Sequence, residues 1–284
     1  SALLFSTMNV FVKLLGTSIP AGEIAFARGL FGTVAVLIIM YMKGIHFSKE
    51  DRGLLVMRGL YGGFGMVCNF IALVHLKLSD ATILFQMTGI FVFIFSALFL
   101  KESLPKGAGK WLALIFAAVM IMVNPFTYES FSWYALVAIL GAALAAAAYT
   151  TIRTISKRGK HSNFEIMAYF MITSMFAGLV ATDEFVMPQG SDWFIIVIIG
   201  GISVVAQFFL TGAFVTTNAV VAQFLQYVGV FISSFYGFLF FGESLALVTV
   251  IAGIVMFISS VMLSRLKEQQ GLFKGGKIIE EKTK

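Results

Sequence analysis

Charge is scarce in this chain. Of its 284 residues, 12% are Asp, Glu, Lys or Arg, about half the share found in soluble domains. Such a shortage excludes a water-solvated globule, which needs charge on its surface. Cysteine is nearly absent. Cys68 alone excludes an internal disulfide, and its place inside an apolar run reads as packing. The three histidines, His46, His75 and His161, fall in separate loops or helix ends. No metal-ligand spacing, no Ser–His–Asp set and no zinc pattern can be assembled from them. No cofactor and no metal are therefore expected. A membrane-embedded enzyme would need His, Asp or Glu clustered at one depth, so the chain reads as not an enzyme. Only four prolines occur, Pro20, Pro105, Pro125 and Pro188, each between apolar runs, where proline ends helices.

What the chain does have is hydrophobic length. Hydrophobic residues make up 59% of it, and the mean hydropathy is +0.95. Apolar runs near the ~20 residues that cross a bilayer recur from end to end. They are continuous rather than alternating, which excludes a barrel and leaves helices. The predicted fold class is all-α: a polytopic membrane protein of ten spans, at about 1–17, 21–43, 53–75, 79–101, 107–124, 130–153, 163–182, 192–214, 217–241 and 245–265. No cleavable signal peptide is visible. The first run, Ser1 to Leu15, is slightly short for a span, which predicts a longer natural N-terminus.

The net charge of +6 does not point to nucleic acid, because the basic residues sit in short loops and the tail. Lys43, Lys49, Arg52, Lys101, Lys106, Lys110, Arg153, Lys157, Arg158 and Lys160 fall in loops of one side, together with the tail, while the other side holds almost only Lys77. The positive-inside rule then places both termini in the cytoplasm of a cell inner or plasma membrane.

One stretch occurs twice. Residues 79–102 and 220–243 align so that Ala81 meets Ala222, Leu84 meets Leu225 and Glu102 meets Glu243, with Ser-Leu following each glutamate. Thr82 and Gln86, four apart on one helix face, fall on Gln223 and Tyr227. The ten spans divide into a first repeat (1–125) and a second (126–266), followed by a charged cytoplasmic tail (267–284). Five is odd, so the second repeat is inverted relative to the first. Inverted repeats are a plan of secondary transporters, with the substrate between them near the midplane.

The segments IALVHLKLSDATILFQMTGIFVFIFSALFLKESL and GAFVTTNAVVAQFLQYVGVFISSFYGFLFFGESL, with Arg28 after a short first loop, resemble the EamA domain of the drug/metabolite transporter superfamily. The resemblance covers essentially the whole chain. Tyr149-Thr150-Thr151-Ile152-Arg153 is also similar to the nucleotide-sugar-transporter-like solute carriers of family 35, G branch. The resemblance implies a central cavity lined by spans 1, 3, 4, 6, 8 and 9 and alternating access by rocking halves. The second copy carries Val220-Val221 where the first has Ser79-Asp80, so a role for Asp80 is not shared.

Candidate substrate-binding residues are uncharged polar groups within spans: Asn9, Asn69, Thr82, Gln86, Tyr149, Gln207, Gln223, Gln226 and Tyr227. Amides can bond a solute without the desolvation cost of a buried charge. The competing reading is hydrogen bonding between helices. Tyr61 and Phe64 are candidates for an aromatic wall, against plain packing. Arg28 and Arg58 are candidates for a gate or an anion anchor, the latter because a guanidinium fork fits a carboxylate. Against that, Arg28 is expected to pair with Glu23, and Arg58 to snorkel to the inner surface. Asp80 and Glu165, with His75, are the candidates for proton coupling, all near helix ends. Glu102 and Glu243 read as binding a neighbouring loop or helix N-terminus. Gly59 and Gly63 read as a close-packing face, since the phosphate-loop pattern lacks its strand and Lys-Ser/Thr.

The sequence thus predicts a secondary transporter, exporter or exchanger, of a small polar or amphipathic metabolite, amino-acid-like or an organic anion. Its partners would be that small molecule, the lipid bilayer, a coupled proton or counter-substrate, and at most a second copy of itself. A lipophilic-cation exporter is the rival within transport, and a non-transporting scaffold or embedded enzyme the rival outside it.

Overall fold

The computed structural model describes residues 1–99, 106–123, 132–159, 161–216, 222, 223, 226, 228–243 and 247–269. Eleven helices lie among them: α1 (Ala2–Leu15), α2 (Ala21–Met42), α3 (Arg52–His75), α4 (Leu78–Phe85), α5 (Thr88–Phe99), α6 (Ala108–Val123), α7 (Trp133–Arg158), α8 (Asn163–Val180), α9 (Asp192–Thr216), α10 (Val228–Phe241) and α11 (Leu247–Gln269). Six segments are long and apolar enough to cross a membrane, namely α2, α3, α4 with α5, α7, α8 and α9. Ala2–Leu15, Ala108–Ala118, Val228–Phe241 and Val250–Leu263 are shorter apolar helices. The chain is an all-helical polytopic membrane protein. Phe31, Ile38, Phe194, Phe209, Phe235 and Phe238 stand exposed, as helices hydrophobic all round do when lipid is the solvent.

The helices from the two ends of the chain interleave. α2 packs on α8, α3 on α7 and α8, and α6 on α11. Small residues permit the close approach. A Cβ on Gly29 would come within 2.5 Å of the Met175 backbone nitrogen, and one on Gly22 within 2.5 Å of the Ala181 carbonyl oxygen. On α3, Gly59 lies against Thr173 and Gly65 against the Gly141 carbonyl. This is the small-residue packing of membrane bundles, where close backbone contact replaces the hydrophobic drive.

Two predicted spans differ in form. The span expected at 79–101 is broken rather than continuous. At Gln86 and Met87 the backbone tightens, with Gln86 N–H donating to the carbonyls of Thr82 and Ile83 and Met87 N–H to Leu84 at 3.1 Å. The Thr88 hydroxyl takes the freed Phe85 carbonyl at 2.5 Å. The span expected at 130–153 continues to Arg158, so Arg153, Lys157 and Arg158 are helical. The hydroxyls of Thr150, Thr151 and Thr154 return to carbonyls four residues back, which lets a β-branched run stay helical. Gly159, at φ +67°, ends it.

Candidate functional site

A cavity of about 120 Å³ lies inside the bundle. Its wall is drawn from α1, α2, α3, α4, α7, α8 and α9, and from Gln223, Gln226 and α10. Asn9, Arg28, Arg58, Asn69, Thr82, Gln86, Tyr149, Gln207, Gln223 and Gln226 all line it. Residues far apart in sequence and polar in type have thus been gathered at one place. Tyr227 lies outside the described residues, as does Glu102.

Three glutamines meet at the break between α4 and α5. Gln86 Nε2 donates to the Gln226 backbone carbonyl at 2.8 Å, and Gln223 Nε2 donates to Gln86 Oε1 at 3.0 Å. A carbonyl oxygen can only accept, so the first bond fixes which end of Gln86 faces which partner, and the second then fixes Gln223. Gln223 Oε1 is left buried without a partner, and so is Asn9 Oδ1. Other amides and hydroxyls are already engaged. Thr82 Oγ1 returns to the Leu78 carbonyl at 2.7 Å, Gln207 Nε2 bonds Thr211 Oγ1 at 3.1 Å, and the Tyr149 ring stacks on Phe214 at 4.3 Å.

Two arginines also line the cavity. Arg28 is 2% and Arg58 is 1% exposed, and Nε and Nη1 of both lack a hydrogen-bond partner. Their contacts are with rings. Arg58 lies 4.6 Å from the Phe170 centroid, and Arg28 lies 5.6 Å from Phe170 and 5.7 Å from Phe70. Cation–π contact returns part of the desolvation cost without consuming the in-plane N–H donors. Gly62 makes room, since a Cβ there would collide with Arg58 Nη1. Among the described residues no Asp, Glu, Lys or His lines the cavity.

Several expectations are corrected. Glu23 does not pair with Arg28. Five residues separate them, about 140° around a helix, and Glu23 instead accepts the Val186 N–H at 2.9 Å. Arg58 does not snorkel. Tyr61 and Phe64 do not form the wall, and Phe64 is 42% exposed. Arg58, Gly62, Met66 and Asn69 make the inward stripe of α3, and Phe64 falls about 155° from its centre at 3.6 residues per turn. The aromatic wall is Phe70 and Phe170, with Phe5 and Phe85, which the sequence hid among 31 phenylalanines. Phe70 was findable as the next residue on that stripe.

Asp80 and Glu165 lie outside the cavity. Asp80 sits half-buried in the first turn of α4, beside Ser79 Oγ at 3.5 Å. Glu165, in the first turn of α8, accepts the Ser48 N–H at 2.7 Å and contacts His161 Nδ1 at 2.9 Å. His161 in turn faces Asp51 at 3.6 Å, and Arg158 pairs with Asp51. At the far end of α3, Glu243 accepts the Leu78 N–H at 2.8 Å, at the N-terminus of α4, and pairs with Lys13 at 2.9 Å. Lys13 also donates to the Leu76 carbonyl. His75 is exposed and stacks on Tyr134 at 3.9 Å.

A polytopic helical bundle that encloses a cavity with amide and guanidinium groups on its wall suits a membrane transporter. The model of the EamA-like transporter family matches residues 1–124 and 132–265, and the chain belongs to that family. It is similar to the pseudopaline exporter CntI of Pseudomonas aeruginosa, 35% identical with 93% of each chain covered. It is also similar to an S-adenosylmethionine uptake transporter of Rickettsia felis, 26% identical over 84% of this chain and 81% of that one. Human solute carrier family 35 member G1 is 25% identical over 86% and 71%. A solved crystal structure superposes with a TM-score of 0.67 at 14% identity, covering 94% of this chain and 97% of that one, a likeness of fold alone.

Proposed function

We propose that the chain is a secondary transporter that carries a small polar metabolite, amino-acid-like or an organic anion, through this cavity by alternating access. Its two halves, 1–125 and 126–266, act as inverted five-helix units that rock about the bound solute, with both termini in the cytoplasm and export or exchange as the direction. The observation that carries the reading is the cavity itself: buried, contributed by both halves, and holding two guanidinium groups with unused donors and, among the described residues, no carboxylate. The absence of an acid among the described lining residues argues against a lipophilic cation, whose charge would meet two like charges. The named relatives carry different solutes in different directions, so they support transport of a metabolite and leave its identity to the site.

The test is counterflow in proteoliposomes against amino acids, carboxylates, nucleosides and organic cations. An amino acid or carboxylate is expected to exchange, and cations are not. Gln86→Ala and Gln223→Ala are expected to slow that exchange about tenfold, the worth of one or two lost hydrogen bonds to a solute. Parental rates in both variants would remove the cavity as the transport site.

A further inference from the structure

The cavity wall has a pattern of unused hydrogen-bonding capacity that specifies more than an anion. On its wall, Arg28 and Arg58 are each buried, each charged, and each short of partners at Nε and Nη1. Both lean on Phe170, so they stand on one ring and face one space. A guanidinium cannot shed its proton to escape burial. Two buried positive charges without a protein counter-charge therefore call for two negative charges, and the described lining residues supply none. Elsewhere on the same wall, the bonds from Gln223 to Gln86 to the Gln226 carbonyl run one way, which leaves Gln223 Oε1 as an acceptor with nothing to accept. Asn9 Oδ1 is in the same position.

Resting on the transport reading above, the geometry points to a solute with two negative charges and a separate N–H or O–H donor: an amino- or hydroxy-dicarboxylate, or a phosphate monoester of a polyol, whose one group carries both charges. The anionic groups take the in-plane donors of Arg28 and Arg58, whose faces are held by Phe70 and Phe170. The donor group takes Gln223 Oε1 and Asn9 Oδ1. A monocarboxylate leaves one arginine uncompensated. A dicarboxylate with no donor leaves both amide oxygens dry. Each omission exacts the penalty of a buried polar group without a partner, and that is what makes the cavity selective.

The experiment is thermal stabilisation of the purified, detergent-solubilised full chain by aspartate, malate, succinate, asparagine and glycerol phosphate, each added singly. Aspartate and malate are expected to stabilise at concentrations about tenfold or more below asparagine, which lacks the second anionic group, and below succinate, which lacks the donor. Glycerol phosphate separates the two sources of charge: stabilisation by it in place of aspartate and malate assigns the arginines to phosphate, with the two-charge requirement intact. Arg28→Gln or Arg58→Gln is expected to erase the difference between aspartate and asparagine, and Gln223→Ala the difference between malate and succinate. Arg28→Lys retains the charge and is expected to restore part of the first difference. Equal response to aspartate and asparagine, the same preference in the arginine variants, or no response to any dianion overturns the inference. Counterflow of neutral or singly charged solutes with no preference for the dianions would sink it while leaving transport standing. Absence of all counterflow would sink the transport reading itself.

Discussion

Arg58 is the residue whose environment asks most for an explanation. A guanidinium that is 1% exposed and short of partners is a cost carried by the empty protein, and function is the usual reason such a cost persists. Arg58→Met keeps an unbranched apolar stem and removes the charge. It is expected to raise the melting temperature of the ligand-free protein, by about 1 kcal/mol or more of stability, while abolishing transport. Differential scanning fluorimetry beside counterflow checks both halves of that statement. Gly62→Ala tests the same group from outside, because its Cβ would collide with Arg58 Nη1 and approach the Phe170 ring at 2.7 Å. Transport is expected to fall at least about tenfold as the anchor is displaced by a fraction of its length. The polar set of the site was legible in the sequence because Asn, Gln and Arg inside apolar runs are rare enough to notice. Of the ring partners, Phe70 could have been reached by extending the α3 stripe, but Phe170 could not, since any of many phenylalanines could have filled the role. The Glu23–Arg28 pairing failed on helix geometry, which sequence proximity conceals.

Helices were legible as elements, but their interruption was not. Nothing between Leu78 and Phe85 signals a break, and Gly89 comes only after it. The turn at Gln86 and Met87 is held from elsewhere: Gln86 reaches the Gln226 carbonyl across the bundle, and Thr88 caps Phe85. Breaks of this kind are tolerated at membrane depth where they face a cavity, and a tertiary bond leaves no trace in local pattern. The contact between α2 and α8 is a more rigid matter. Gly178 meets the backbone of Phe26 so closely that a Cβ would collide with its nitrogen, whereas Gly201 on α9 faces open space. Gly178→Val is expected to cost about 2 kcal/mol or more by forcing the two helices apart, seen as a lower melting temperature. Gly201→Ala is expected to be neutral or slightly stabilising, because it removes a flexible glycine from a helix without a clash. A comparable loss at both positions would mean that the α2–α8 contact is not a close-packed one.

Taken whole, the molecule is tied at two places that lie at opposite ends of α3. That helix runs from Arg52 to His75, 24 residues, or about 36 Å. At its start, Asp51 and Ser48 meet Arg158, His161 and Glu165. Past its end, Lys13 and Leu78 meet Glu243. Each tie joins the first half of the chain to the second, and the cavity lies between them. If the halves rock, one tie must open while the other holds, so weakening either should bias the molecule toward opening at that end. Loss of a charge-assisted bond, about 1.5 kcal/mol, shifts such a balance about tenfold. The readout is a single cysteine placed in the cavity wall, Met66→Cys in a Cys68→Ser background, labelled from the extracellular side by a membrane-impermeant maleimide. Glu243→Gln is expected to speed labelling about tenfold, since the Lys77 side is the outer one under the positive-inside reading. Asp51→Asn is expected to slow it, because the population drawn toward the cytoplasmic opening is taken from the outward one. Labelling that rises in both variants would show two independent loose ends rather than one balance, and labelling unchanged in both would mean that neither tie spans a moving seam.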